Sequence, residues 1–514
     1  MPKVPRRPST SASPGAPVAV IDVGSNSARV LVYRQEAGGH LHVLAGSRTS
    51  LRLVRELDRT GRIPAESLER AFDALRDFRS IARGSGVKRI TAAGTAALRD
   101  ASNGPAFLRR VRRELGITMR TLSGLEEARY GFLGAVGGLP VEDGALFDLG
   151  GGSLQVGRFR RRRLLGAFSV PLGGLRVSDA FLESDPPSPR DVRRLREHAR
   201  EVLDAAGVRA LSGGEQLVGT GGTLRNLAKI DQRASGYPIP RLHGYVLARR
   251  RVHEIVTSLC RKRLRKRGQV PGLNADRRDS IVGGGLVIDA LMDLLRADEV
   301  VVSGEGVREG LARSLGTEAL EPTPSVRRSS LDALAARFVG WSAERAHRRE
   351  ALAAALHAAL DPGAPGETAD ALLQAARILD IGRTVDFFDR HEHVADLVLA
   401  TDLGGFSHRQ VALLASVVRQ AGDEEARPRS LAPLVRREDR GAVRRAAVLL
   451  ALADEATERC PPGSSAAVRC RARGREVTVT IPALGSWGVR GLSERFEAAF
   501  GRRLFVVPGA RPRS

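Results

Sequence analysis

Hydrophobic and polar positions along this chain change their period at short intervals, and the changes mark its elements. Val18–Tyr33 (VAVIDVGSNSARVLVY) is an apolar run, then Asp22, Gly24, Ser25, Asn26 and Ser27, then a second apolar run. That pattern predicts two strands joined by a turn. A further strand is expected near Leu41–Ala45. From Ala65 to Arg83, Leu68, Phe72, Leu75 and Phe78 fall at helical spacing. Lys88–Asn103 reads as a short strand, with Gly94 and Thr95 leading into a helix. Thr121–Val136 predicts a helix with Glu126 and Glu127 at its start. Ala145–Gly157 (ALFDLGGGSLQVG) returns to strand, turn, strand, with Asp148 at the mouth of a turn made of Gly150, Gly151, Gly152 and Ser153. Phe168–Leu182 and Leu217–Ile230 each bring a glycine turn into a helix, the second through Gly221, Gly222 and Thr223. Asp279–Gly310 supplies a helix, the strand Glu299–Val302 and the start of a last helix.

The strand–Asp-x-Gly–strand unit occurs twice, its aspartates 126 positions apart. One copy is compatible with an ordinary glycine hairpin. Two copies point to a duplicated domain, with a hairpin in each half and a cleft between them. Glycines let backbone N–H groups close on an anion. A carboxylate beside phosphate oxygens calls for a cation between them, Mg²⁺ above all. The pattern resembles the phosphate loops of the actin, hexokinase and heat-shock-70 ATPase superfamily. Thr95, at a helix entrance, can offer a hydroxyl and free N–H groups to an anion. Arg99, one turn on, would share its face, although an N-cap with a surface arginine explains the pair equally. Glu126 and Glu127 could be simple dipole complements. They precede the Asp148 hairpin by about twenty residues, the length of a crossover helix, so one of them can reach the cleft.

Composition changes the picture in three ways. At 514 residues the chain needs three or four domains, and its 42% hydrophobic content supports buried cores. Cys260, Cys460 and Cys470 show neither CxxC nor metal spacing, which suits reduced thiols in a cytoplasmic protein. No apolar stretch is long enough for a transmembrane helix. Residues 1–16 carry no apolar signal core and are expected as a disordered basic tail. The net charge is +24, nearly all of it arginine, with runs at Arg158–Arg163, Arg249–Arg251, Arg261–Arg267 and Arg436–Arg445. Such a field could draw in a polyanion, or the arginines could be spread over solvated faces. Aromatic residues are not interleaved with the basic runs, so specific nucleic-acid binding is not expected.

DVGSNSARVLVY, GTAALRDASN, SGLEEAR, DLGGGSLQVG, GTGGTLRNLAKI and SGEGVREGL stand in the order found in the exopolyphosphatase/guanosine pentaphosphate phosphohydrolase (Ppx/GppA) family. The resemblance runs from about Val18 to Gly316. It implies an α/β fold of two ribonuclease H-like lobes, 17–135 and 136–318, that removes terminal phosphates from inorganic polyphosphate. The alternatives are pppGpp as substrate, or a non-catalytic sensor of polyphosphate or (p)ppGpp. The resemblance implies Glu127 as the group that activates water and Asp148 as a magnesium ligand, with Mn²⁺ as the alternative ion. Asp22 with Gly24–Ser27, Gly150–Ser153 and Gly221–Thr223 would cradle phosphate, with Thr95 and Arg99 beside them. Where the family usually reads DIGGGSxE, this chain has Gln155 in place of the last glutamate. An amide oxygen can still face a hard cation, but one negative charge is lost.

Residues 319–330 (with PTPSVRRSS at 322–330) are expected as a linker. Alanine and leucine at helical spacing predict a helical domain over 331–460, similar to the HD-phosphohydrolase-like domain of longer family members. Its histidine–aspartate pair is degenerate: ILDIG places Leu379 before Asp380, and Arg345 stands where a histidine would be expected, with His347 nearby. His391 and His393, two apart on a helix, point away from each other. A packing and homodimer-forming role is therefore expected rather than a metal site. Alternation over Val468–Val507, interrupted by an amphipathic helix at Leu492–Phe500, predicts a small α/β unit at 465–508.

Overall fold

Two sheets built to one plan organise the first part of the chain. The computed structural model describes residues 15–508 except 36–39, 55–56, 317–318, 424–430, 462, 465–466, 485–486 and 488. The expected basic tail lies almost wholly outside the described residues. The first sheet comprises β1 (Pro17–Val23), β2 (Ser27–Gln35), β3 (Leu41–Ser50), β4 (Arg89–Gly94) and β5 (Met119–Thr121), in the order β3-β2-β1-β4-β5. Helices α1 (Leu57–Thr60), α2 (Ala65–Gly84), α3 (Ala96–Asp100) and α4 (Gly104–Leu115) complete this lobe, and α5 (Gly124–Gly137) leads out of it.

The second sheet comprises β6 (Gly144–Leu149), β7 (Leu154–Arg160), β8 (Arg163–Val170), β9 (Gln216–Gly221), β10 (Tyr245–Ala248) and β11 (Glu299–Val302). Its order, β8-β7-β6-β9-β11-β10, repeats the first with one added edge strand. In both, the first three strands are antiparallel and the next two run parallel to the first. Helices α6 (Gly174–Phe181), α7 (Pro189–Ala205), α8 (Gly222–Ser235), α9 (Arg249–Cys260), α10 (Leu264–Arg267), α11 (Ile281–Leu294) and α12 (Val307–Arg313) belong to this half.

Period-2 alternation assigns each strand to two cores. In β1, Ala19 and Ile21 face a core with α2 and α4, while Val18 and Val20 face a central layer. In β6, Ala145, Phe147 and Leu149 enter the second lobe's core and Leu146 the central layer. That layer contains α5 and α12, which lie between the sheets: Tyr130, Leu133 and Val136 of one and Leu311 and Ala312 of the other. The helices meet backbone to backbone. A Cβ at Gly310 would lie 1.8 Å from the Tyr130 carbonyl oxygen, and one at Gly134 would lie 1.9 Å from that of Gly306. Gly310→Ala is expected to cost about 1–3 kcal/mol, the usual range for overpacking. A lowered midpoint of chemical denaturation checks it, and an unchanged midpoint would contradict so close a crossing.

In two of the arginine runs, several of the charges are paired or turned inward. Arg158 pairs with Glu215 at 2.5 Å, and Arg249, Arg250 and Arg251 pair with Asp293, Glu254 and Asp231. Arg162 is buried, with φ 56°, and donates to the carbonyls of Val136, Gly137, Leu139 and Val141 at 2.8–3.3 Å. A guanidinium thus closes the carboxyl end of α5, where the helix dipole favours a cation.

The described residues divide into two compact units, the second beginning at Ser330 and also taking in Pro238–Pro240. The segment expected as a linker enters α13 (Thr323–Ala335) instead. Pro324, in its first turn, is compatible because the N–H it lacks would have no helical partner there. The second unit holds α14 (Ala343–Leu360), α15 (Gly366–Ile378), α16 (Arg390–Ala400), α17 (His408–Gly422) and α18 (Asp439–Arg459). It ends in β12 (Arg469–Arg473), β13 (Glu476–Ile481), α19 (Arg490–Phe500) and β14 (Arg503–Pro508), in sheet order β12-β13-β14.

Asp380 is fully buried on a 3₁₀ turn, Leu379–Thr384. The Arg349 guanidinium, equally buried, binds it through two nitrogens at 3.1 and 2.9 Å and reaches Asp454 at 2.7 Å. Arg390 holds the other Asp454 oxygen at 2.8 Å, and Arg383 a second contact on Asp380 at 2.7 Å. Asp380, Asp454 and Glu458 stand close enough to share an ion, but guanidinium groups already occupy them.

Candidate active site

The carboxyl ends of β1, β4, β6, β9 and β11 open on one cavity, the expected ligand position for parallel strands. The two hairpins close alike: Gly24 N–H donates to the Ser27 carbonyl and Gly150 N–H to that of Ser153, both at 3.0 Å. Their turns face each other. A Cβ at Gly152 would come 2.8 Å from Ser25 Oγ, and one at Gly151 would come 3.4 Å from Asn26 Cβ. Asn26 is 4% exposed, and neither amide atom has a partner among the described residues. A buried amide left unmatched in a glycine-lined cavity marks a place for a ligand.

Asp22 and Asp148 end their strands at equivalent places. The cross-strand neighbour of Asp22 is Arg29, and that of Asp148 is Gln155, each seven residues on. Directly paired residues project from the same face of a sheet. Burial raises the Asp22 carboxyl, against the pull of Arg308 and Arg29. Burial pushes Asp148 up to about 6, with Arg225 opposing and Asp22 adding to the rise. One Asp22 oxygen, Oδ1, has no partner among the described residues. Two buried carboxylates that disfavour each other's charge, one with an orphaned oxygen, fit a divalent cation. Among the described residues no third ligand completes a metal cluster there. This donor set suits Mg²⁺, which takes one or two carboxylates and fills its shell with water and phosphate oxygens.

Glu127 and Glu126 part company. Glu126 completes a capping box with Ser123 and pairs with Arg120 at 2.5 Å on the surface. Glu127, 5% exposed, turns into the cavity. Burial raises its carboxyl to about 7, against Arg99 and with help from Asp148 and Asp22. Arg99 binds Glu127 Oε1 and the Leu122 carbonyl, at 2.9 Å for the latter. Gln155 Nε2 faces Glu127 Oε2 at 3.2 Å, Ser153 Oγ at 2.8 Å and Ser169 Oγ at 3.0 Å.

Most of the residues expected at the site line the cavity: Asp22, Gly24, Ser25, Asn26, Ser27, Thr95, Glu127, Asp148, Gly150, Gly151, Gly152, Ser153, Gln155, Gly221 and Gly222. Two depart from expectation. Arg99 is not in the lining; it stands behind Glu127, because a buried carboxylate one helix away captures its guanidinium. Thr223 turns its side chain toward Gly174 and Gly284, where missing side chains leave room for it.

Sequence reasoning missed the cations of the cavity, Arg29, Arg225, Arg277 and Arg308. Burial, with the charges of Arg308 and Arg225, pushes Arg29 down to about 9, and burial lowers Arg277 to about 10. Both remain cationic at neutral pH and are crowded by like charge, the condition that an incoming polyanion relieves. Gly222 lets Arg277 lie on the loop, since a Cβ there would sit 2.5 Å from its guanidinium. Glu309 steadies Arg308 from behind and is itself held by Tyr33 Oη–H and Gly306 N–H, both at 2.7 Å. Superposing the two hairpins on their aspartates would have singled out Arg29 against Gln155.

Residues 31–318 match the sequence profile of the Ppx/GppA phosphatase family, and 326–458 that of the Ppx/GppA phosphatase, domain III. Exopolyphosphatase 1 of Mycobacterium tuberculosis is 32% identical over 331 residues, 63% of this chain and 96% of its own length. Exopolyphosphatase 2 of that organism is 30% identical over 315 residues, 58% of this chain and 98% of its own. A Ppx/GppA family member from Aquifex aeolicus superposes with TM-score 0.52 at 26% identity, covering 58% of this chain and 97% of its own. An exopolyphosphatase from Cytophaga hutchinsonii gives 0.54 at 27% identity, covering 58% and 97%.

Proposed function

The chain belongs to the Ppx/GppA phosphatase family, and on that premise we propose that it is an exopolyphosphatase, a phosphoanhydride hydrolase releasing orthophosphate from the end of inorganic polyphosphate. The observation that carries this reading is Glu127: a buried carboxylate, raised to about 7, beside two phosphate-type loops that face each other. Glu127 takes a proton from water as the water oxygen bonds to the terminal phosphorus and the anhydride P–O bond breaks. Arg99 and Gln155 fix the carboxylate's two oxygens. Amides of the loops and the guanidinium groups of Arg29, Arg225, Arg277 and Arg308 meet the charge on the transferred group and the departing chain. A magnesium ion held by Asp148 and Asp22 would add cationic stabilisation. Because Gln155 turns its nitrogen to Glu127, its amide oxygen is the atom left for the ion or its water.

Glycine amides, hydroxyls and guanidinium groups, which bind phosphate oxygens, dominate the lining, its carboxylates suit a cation or a water, and among the described residues no aromatic side chain lines it to stack on a purine. This favours polyphosphate over pppGpp. The test is phosphate release from both substrates, side by side, with Mg²⁺ and with Mn²⁺. Polyphosphate is expected to be the better substrate, and release is expected to rise with pH as Glu127 ionises, with a midpoint no higher than about 7. A bound cation lowers that midpoint, since positive charge favours the carboxylate. Preference for pppGpp would overturn the substrate assignment. Binding of either polyanion without release would identify a sensor instead.

A further inference from the structure

Two ion pairs cross from one lobe to the other beside the cavity. Arg48, in β3, pairs with Asp276. Arg52 Nη1 lies 2.6 Å from Asp279 Oδ2, and its Nη2 3.3 Å from the Asp276 carbonyl oxygen. Each end is fixed by a neighbour that lines the cavity. The Leu51 and Arg52 amides donate to the Asn26 carbonyl at 2.9 and 3.1 Å, and Asp276 and Asp279 flank Arg277. Arg52 holds a left-handed backbone, φ 54°, uncommon for a residue with a side chain. Its guanidinium is thereby aimed across the gap. Arg48 also acts on the cavity itself, since its charge contributes to the lowering of Arg29, Arg225 and Arg277.

The four side chains are 21–34% exposed. Ion pairs that remain partly open to solvent contribute modestly to stability and leave the guanidinium groups reachable by a competing anion. Guanidinium groups bind phosphate through two parallel N–H donors, and a polyphosphate chain supplies successive phosphates. We propose that Arg48 and Arg52 form an exchangeable clasp at the cleft rim. Phosphates beyond those in the cavity displace Asp276 and Asp279 and take over their arginines, so that long chains are held in preference to short ones. The inference rests on the exopolyphosphatase reading and deepens it.

Binding of long-chain polyphosphate and of tripolyphosphate is measured in the wild type, in an R48A/R52A double variant and in a D276N/D279N double variant. Removing the arginines is expected to weaken long-chain binding about tenfold and tripolyphosphate binding much less. Removing the competing carboxylates is expected to tighten long-chain binding a few-fold. Opposite signs that are confined to the long chain and persist at salt high enough to screen long-range charge are the signature of exchange. Should R48A/R52A fail to fold, Arg48→Gln alone against D276N/D279N gives the same comparison of signs. If both changes weaken binding, or both ligands respond equally, the pairs merely brace the lobes and the clasp is overturned. Wild-type protein that binds long chains but releases no phosphate would overturn the exopolyphosphatase reading and leave the clasp standing. Wild-type protein that binds no polyphosphate would overturn both.

Discussion

Replacing Glu127 by glutamine will lower phosphate release by about 10²–10⁴, the usual loss when a general base is removed. Polyphosphate will still bind, because the loops and guanidinium groups that hold phosphate are untouched. The change is close to isosteric but not neutral in hydrogen bonding. Arg99 donates to one oxygen of the carboxylate and Gln155 to the other, and in an amide one of these positions becomes an NH2 that faces a donor. Glu126→Gln is the matched control. Glu126 caps a helix and pairs with a surface arginine, so its loss should barely move turnover. Release at wild-type rate by the Glu127 variant, or an equal loss in both variants, would remove Glu127 from the role of base.

The second large effect is expected far along the sequence, at Arg349. Replacing it by methionine leaves buried Asp380 without its bidentate partner, with Arg383 and Arg345 on one oxygen only, and takes one of the two guanidinium groups from Asp454. Breaking a buried ion pair from one side typically costs about 3–5 kcal/mol. Lysine should not rescue it, since one ammonium cannot bridge two carboxylates and the Ala376 carbonyl at once. The chain's two tryptophans, Trp341 and Trp487, both lie in the second unit, so their fluorescence during urea unfolding of the full chain reports on it. A loss below about 1 kcal/mol would mean that the network is loosely held. Acid sensitivity follows from the same groups. Burial opposes ionisation of Asp454, yet Arg349 and Arg390 hold it down to about 2. Its contribution is present above the ordinary carboxylate range near 4 and is lost as pH falls toward 2.

Much of the cavity was legible in the sequence because turns and strand ends leave local signals. Asp22 and Asp148 interrupt apolar runs, and the glycines after them announce a tight return. What was not legible depends on partners distant in the chain. Arg308 and Arg277 are single arginines in a composition crowded with them, and only folding brings them beside Asp22 and Gly222. Arg99 sits where helical spacing suggested, yet its direction is set by Glu127, 28 residues away. The run at Arg158–Arg163 looked like exposed charge, but Arg162 turns inward to close a helix, which no local pattern announces. The degenerate histidine–aspartate segment pointed to a packing role. That a guanidinium would stand between Asp380 and Asp454 required the third dimension.

The chain crosses between the two sheets through α5 and returns through α12, and these helices touch with only glycine between their backbones. At Gly134 and Gly310 even one added methyl would meet a carbonyl oxygen of the facing segment, so the crossing is set by the backbone itself. Glu127 rides at the head of one helix and Arg308 at the head of the other. Because backbone meets backbone where these helices cross, the spacing of those two groups is set by the chain's own course and not by the rotamer of an intervening side chain.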